Sequence, residues 1–105
     1  MAAKPGEVWL ADLGLAAKTR PVIILSRDDA DAPRALVTYV PLTTQNRRSR
    51  YEIDVGNLRF LREASVANVQ GIGSIPSVRL QRKIGVIPAD ILARIKEALR
   101  FALDF

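Results

Sequence analysis

Seven short segments rich in β-branched and aromatic residues, separated by turn formers, occupy this 105-residue chain as far as Ile87. They run Glu7–Leu13, Pro21–Ser26, Leu36–Leu42, Tyr51–Val55, Ser65–Val69, Ile72–Ile75 and Arg82–Ile87. Such spacing is that of short strands building a compact, mainly β core. No helix-length segment interrupts the early ones, so successive strands are expected to pair antiparallel rather than through crossovers. Val22-Ile23-Ile24-Leu25 is apolar without alternation, which predicts burial of both its faces. Gly56, Gly71, Gly73 and Gly85 lie in or beside strand segments, where glycine permits the bulges and bends that curl a small sheet into a barrel.

Beyond Ile87 the pattern changes. Pro88 suits the first position of a helix, and Asp90 complements the positive end of the helix dipole. Ile91, Leu92, Ile95, Ala98, Leu99 and Ala102 recur at helical spacing. The apolar stripe of this amphipathic helix is expected to pack on the barrel, with an oligomer interface as its alternative use. A chain of this length forms one domain, residues 1–105, and buries roughly two thirds of its unfolded surface. No repeat, low-complexity tract or linker divides it, and Arg27–Arg34, with three aspartates and Pro33, reads as an exposed connection.

The chain has no cysteine, which excludes disulfides, thiol catalysis and thiolate metal sites and makes an intracellular, cytoplasmic location the default. It has no histidine, which removes histidine triads, paired-histidine RNA cleavage and most zinc chemistry. Neither a signal peptide nor an apolar run near twenty residues is present, so no membrane partner is expected. Sixteen Lys and Arg against eleven Asp and Glu give a net charge of +5. That excess favours polyanions through counterion release, and a dominance of arginine over lysine suits phosphate, which guanidinium grips bidentately.

Two polar clusters abut apolar strands: Lys18-Thr19-Arg20-Pro21 before Val22, and Thr43-Thr44-Gln45 after Leu42, followed by Arg47, Arg48 and Arg50. Pro21 pushes Arg20 into an extended conformation, so Arg20 should project from the strand's entry. Each piece has an ordinary reading: a surface arginine, a strand end closed by local hydrogen bonds, a solvated charge run. Together, hydroxyls, an amide and guanidiniums on rigid strand ends supply donors for phosphate oxygens and polar groups for base edges, an arrangement suited to RNA.

Gly6-Glu7-Val8-Trp9, Asp12-Leu13, Arg20-Pro21-Val22-Ile23-Ile24, Val40-Pro41-Leu42-Thr43-Thr44-Gln45, Glu52-Ile53 and Ser74-Ile75 stand in an order that resembles the MazF/PemK toxins of bacterial toxin-antitoxin systems. The resemblance spans nearly the whole chain. It implies an SH3-like antiparallel barrel with a C-terminal α-helix, a homodimer, and a cofactor-free, metal-independent, sequence-specific endoribonuclease acting on single-stranded RNA such as messenger RNA. The implied partner is a cognate antitoxin whose acidic C-terminal tail covers the substrate groove, DNA being met only through the antitoxin complex.

The family's catalytic arginine falls on Arg20 and its catalytic threonine on Thr43, with Lys18, Thr19, Thr44, Gln45, Arg47, Arg48 and Arg50 expected to bind substrate. The implied reaction is attack of a ribose 2'-hydroxyl on the adjacent phosphorus. Arg20 and Thr43 would donate to the non-bridging oxygens as charge builds, and the acceptor of the 2'-hydroxyl proton is left open. Two segments depart from the family's pattern. Only Gly14-Leu15-Ala16-Ala17-Lys18-Thr19 joins the first two strands, without the acidic residue many members carry there, and Gln70-Gly71-Ile72-Gly73-Ser74 replaces an acid followed by glutamine. The favoured reading is an RNA-cleaving toxin. Its alternative is a catalytically weak nucleic-acid-binding barrel that mainly engages an antitoxin and takes part in operon repression. A purely solvated Arg47–Arg50 run would instead move the groove toward Lys18, Arg79 and Arg82.

Overall fold

Val22, Ile23 and Ile24 have 0% exposure, as their unbroken apolar run predicts. Alternate side chains of a strand point to opposite faces, and here the two faces enter different cores. Ile23 packs with Val8, Val40, Leu42, Val55, Ala67 and Val69, and with Ile91, Ile95, Ala98 and Leu99 of the C-terminal helix. Val22 and Ile24 pack with Trp9, Ala11, Val37, Ile75 and Leu80, bordered by Leu13 and Tyr39. Full burial of each such side chain stabilises by about 1.5–3 kcal/mol, so a polar residue here would disrupt one core or the other.

The computed structural model describes residues 2–14 and 19–105. Its strands are β1 (Glu7–Asp12), β2 (Thr19–Ile24), β3 (Leu36–Thr43), β4 (Glu52–Asp54), β5 (Val66–Asn68), β6 (Gly73–Pro76) and β7 (Leu80–Val86), followed by helix α1 (Ala89–Leu103). All the strand pairings are antiparallel, in the order β4-β5-β3-β2-β1-β7 with β6 also on β3. This is the expected mainly β barrel with its helix, and the helix stripe packs on it through the first core.

Partners rather than composition set the boundaries that differ. β2 begins two residues before Pro21, because Thr19 and Arg20 lie opposite Asp12 and Ala11. β7 begins at Leu80 rather than Arg82, because Leu80 lies opposite Ala11. Pro88 is not the first helical residue. Its ψ of 150° is extended, so it caps the helix and Ala89 opens it.

Two irregularities shape the barrel. The β1–β7 register slips between Val8 and Trp9, where Gly85 faces Val8 and Lys83 faces Trp9, and again between Leu10 and Ala11; a Cβ on Gly85 would collide with the Phe60 ring. The edge of β3 away from β2 changes partner, from β6 at Tyr39 to β5 at Leu42. Thr38 accepts from Leu25 N–H and donates to Ser26 Oγ on the β2 side. By two-residue alternation Pro41 therefore turns its nitrogen to the opposite edge, at the gap between β6 and β5, where the missing N–H costs nothing.

Glu7, 8% exposed, ties the N-terminal segment to the sheet. Its Oε1 accepts from Lys4 N–H and from the Trp9 indole, each at 3.0 Å, and its Oε2 pairs with Lys83 Nζ at 3.0 Å. Burial pushes this carboxyl up, but the hydrogen bonds from Lys4, Trp9 and Lys83 and the Lys83 charge outweigh it and hold the group below its ordinary range. A lowered folded value contributes stability above the unfolded value of about 4.3 that is lost as pH falls through the folded one. Glu7→Ala, which strands the buried indole donor, is expected to lower urea stability by about 1–3 kcal/mol at pH 7. The gap from the parent should narrow below about pH 4, and a gap independent of pH would exclude the carboxylate as the cause.

Candidate nucleic-acid interface

The second core's face of β2 and β3 ends in the polar clusters. Val22 and Ile24 place Arg20 on that face by alternation, and Val37 and Tyr39 do the same for Pro41 and Thr43. The β2–β3 register runs Ile24 to Tyr39, Ile23 to Val40 and Val22 to Pro41. Two residues further along both strands stand Arg20 and Thr43, at the same end of the pair. They line one cleft of about 610 Å³, with Thr44, Gln45, Leu13, Pro21, Tyr39, Pro41, Leu42, Ser65 and Gly71. Arg20, Thr44 and Gln45 are exposed and Thr43 is half-buried.

Thr43 Oγ1 accepts from the Gln45 N–H at 3.1 Å. This local bond is the ordinary strand-end closure, and it also has a chemical consequence: the N–H occupies a lone pair and fixes the hydroxyl, whose own proton remains to be donated. Beside Thr43 the surface continues into a recess of about 400 Å³ lined by Thr43, Gln45, Arg47, Ser49, Tyr51, Glu52, Asn68 and Gln70. The structure thus brings Arg20, Thr43, Thr44, Gln45 and Arg47 onto one continuous surface.

Other expected substrate contacts lie elsewhere. Thr19 is exposed at the start of β2 opposite Asp12, and Lys18 falls outside the described residues. Arg48 has a left-handed φ of 58° and donates its N–H to Asn46 Oδ1 at 2.8 Å, so it forms the turn of the loop. Arg50 stacks its guanidinium 3.6 Å from the centroid of Phe101, in a separate recess between β4 and α1. Arg79 lies near Gly14, where a Cβ would stand 3.3 Å from its guanidinium, and Arg82 faces Leu10 across the β1–β7 ladder.

The loop between Thr43 and β4 is held by Glu52. Its Oε2 accepts from Arg47 N–H at 3.0 Å, and its Oε1 accepts from Ser49 N–H at 3.0 Å and Ser49 Oγ at 2.8 Å. The Arg47 and Ser49 backbone donors, helped by the Ser49 hydroxyl and the Arg47 charge, hold this carboxyl below its ordinary range. Glu52 is therefore a loop clamp with both oxygens engaged. The sequence signal was present in Ser49-Arg50-Tyr51-Glu52, a Ser-x-x-Glu spacing of the capping-box kind. Tyr39 could likewise have been found by counting back along β3 from Thr43 in steps of two. Leu13, Ser65 and Gly71 reach the cleft only through tertiary pairing. Among the described residues no three His, Cys, Asp or Glu side chains gather as a metal-binding group, and no helix is long and apolar enough to cross a membrane.

Residues 4–103 match the family model described as PemK-like, MazF-like toxin of type II toxin-antitoxin system. Endoribonuclease MazF9 of Mycobacterium tuberculosis is 34% identical over 94% of each chain, and Endoribonuclease MazF3 of the same species is 33% identical over 83% of this chain and 84% of its own. Among solved structures, a mycobacterial endoribonuclease in complex with its cognate antitoxin superposes with a TM-score of 0.84 at 27% identity, covering 99% of this chain and 97% of that one. The Mycobacterium tuberculosis toxin MazF-mt6 gives 0.82 at 31% identity, over 94% and 97%.

The Glu52 clamp has a spectroscopic consequence. Because the folded carboxyl titrates low, the amide protons of Arg47 and Ser49 should shift with a common midpoint below about 4.3 in an NMR pH titration. Glu52→Gln should abolish that titration, and a midpoint at or above the ordinary value would contradict the clamp.

Proposed function

This chain belongs to the PemK-like, MazF-like toxins of type II toxin-antitoxin systems, and from that premise we propose how it works as an endoribonuclease toxin neutralised by an antitoxin: Arg20 and Thr43 hold the scissile phosphate of a single-stranded RNA. The observation that carries this reading is the meeting of a guanidinium and a hydroxyl at one end of two packed strands, inside an open cleft. The ribose 2'-hydroxyl gives up its proton as its oxygen attacks the adjacent phosphorus. The bond to the 5'-oxygen breaks and that oxygen gains a proton, so that a cyclic phosphate and a free 5'-hydroxyl result with no net change in protons. Arg20 and Thr43 donate to the non-bridging oxygens as negative charge builds on phosphorus, an effect worth about 10²–10³-fold per donor in comparable sites. Arg20 acts as an electrostatic clamp, since a guanidinium with pKa above about 12 is a poor base. Thr44 and Gln45 offer polar groups to base edges, and Arg47 follows the phosphate backbone into the neighbouring recess.

The chemistry proposed uses no metal: the chain has no His or Cys for a soft or borderline ion, and among the described residues no three Asp or Glu side chains gather to hold a hard cation such as Mg²⁺. An antitoxin with an acidic tail suits the same surface, because Arg20 and Arg47 would meet its carboxylates as they meet phosphates.

Purified protein incubated with a long single-stranded RNA in EDTA should cut it, leaving 5'-hydroxyl ends. Activity that disappears in EDTA and returns with Mg²⁺ would falsify the metal-free mechanism. Arg20→Ala and Thr43→Ala should each lower kcat/KM on the order of 10²-fold or more with an unchanged melting temperature, since both sit at strand ends. Near-normal cleavage by a folded Arg20→Ala protein would move the chemistry elsewhere.

A separate prediction distinguishes the loop arginines by their placement. Arg47→Gln should flatten the log-log salt dependence of RNA binding by about 0.7. Arg50→Gln, whose guanidinium rests on Phe101, should leave that slope unchanged. Equal slopes for parent and Arg47→Gln would place Arg47 off the phosphate path.

A further inference from the structure

The cleft extends past the catalytic pair along β3, and Tyr39 stands at its far end. Thr43, Pro41 and Tyr39 share one face of the strand, so Tyr39 lies four residues and about 13 Å of strand rise from Thr43. Among the described residues lining the cleft it is the one aromatic. Beside this stretch stand Gly71, which lines the cleft, and Gly73 two residues further on. A Cβ on Gly71 would stand 2.7 Å from the Pro41 ring, and one on Gly73 would stand 2.9 Å from the Tyr39 hydroxyl. Gly73 is also the direct cross-strand partner of Tyr39. The two glycines therefore remove the side chains that would displace Pro41 and Tyr39, and leave a trough floored by a proline ring and a phenol ring.

A trough of this kind, continuous with a phosphate-gripping end, has the chemistry of a base-stacking site. Aromatic rings bind unstacked bases through their faces with little regard to base identity. We propose that Tyr39 is the stacking platform for one unstacked nucleobase of the RNA, near the scissile phosphate held by Arg20 and Thr43, and that Gly71 and Gly73 exist to keep that platform open. The inference rests on the RNA-cleavage reading above and adds to it a subsite and its ligand.

Covering a cross-strand glycine with a ring also stabilises a sheet, so the test must read a quantity that packing leaves unmoved. On a short RNA spanning a mapped cleavage site, Tyr39→Leu should lower kcat/KM on the order of 10-fold, and Tyr39→Phe, which keeps the ring, should recover most of the loss. An abasic ribose is then walked through the RNA. The difference between parent and Tyr39→Leu should vanish when one particular base is missing and persist at the other positions. A measurement on the unaltered protein guards against a variant that fails to fold: 4-thiouridine is placed at successive positions of an RNA made uncleavable by a 2'-deoxy at the attacking nucleotide. Irradiation should crosslink Tyr39 from the same position. A leucine penalty that is absent or equal on every abasic RNA, or crosslinks that bypass Tyr39 from all positions, would overturn the proposal while RNA cleavage stands. RNA left uncut by the parent protein would instead overturn the reading beneath it.

Discussion

Burial of β2 on both faces is the constraint from which the rest of this structure follows. A strand whose successive residues Val22, Ile23 and Ile24 are all excluded from water must be covered twice. One cover is supplied by the α1 helix together with β4 and β5, the other by the β1, β6 and β7 side of the barrel. The two cores leave β2 and β3 little freedom to slide, because a slip of one residue would exchange the faces of every side chain. Arg20 and Thr43 inherit that fixity. They occupy the first turnless positions where a heavily packed strand pair meets water, which is where donors can be held in place without being buried.

Rigidity continues into the loop by a different device. From Thr44 to Arg50 every residue is exposed, and the chain is shaped instead by local polar closure until Tyr51 packs against the first core. Gln45 donates to Thr43, Arg48 to Asn46, and Arg47 and Ser49 to Glu52. The carboxylate gathers backbone donors that would otherwise face solvent, and in doing so sorts the loop's arginines. Arg47 stays beside the cleft, while Arg50 turns to the far side and rests on Phe101, whose ring lies 5.3 Å from that of Tyr51. A charge run that looks uniform in sequence thus becomes two different surfaces.

The strands, the helix, the doubly buried β2 and the two polar clusters were legible from residue order, because each depends on period, turn chemistry or a neighbour along the chain. Successive strands pair as expected in β1–β2, β2–β3 and β4–β5, but β1–β7, β3–β5 and β3–β6 join strands that residue order does not place together. Boundaries such as Thr19 and Leu80 were not legible, since ladder partners far away in sequence extend those strands. The cleft was half legible. Arg20, Thr43, Thr44 and Gln45 announced themselves as polar residues attached to strands, whereas Leu13, Ser65 and Gly71 enter from other segments and carry no local mark.

What the sequence determined by itself was the set of elements and the donors at their ends: local propensities and two-residue alternation act within a few residues, so they can be read from a few residues. What only the tertiary structure decided was which of those groups share a surface. The antiparallel register of β2 and β3 sets Arg20 at the same end as Thr43, and the helix draws Arg50 away. The partner change along β3 places glycines over Pro41 and Tyr39. These are contacts between residues far apart in the chain, fixed by the burial of two shared cores, and no local feature of the sequence encodes a distance of that kind.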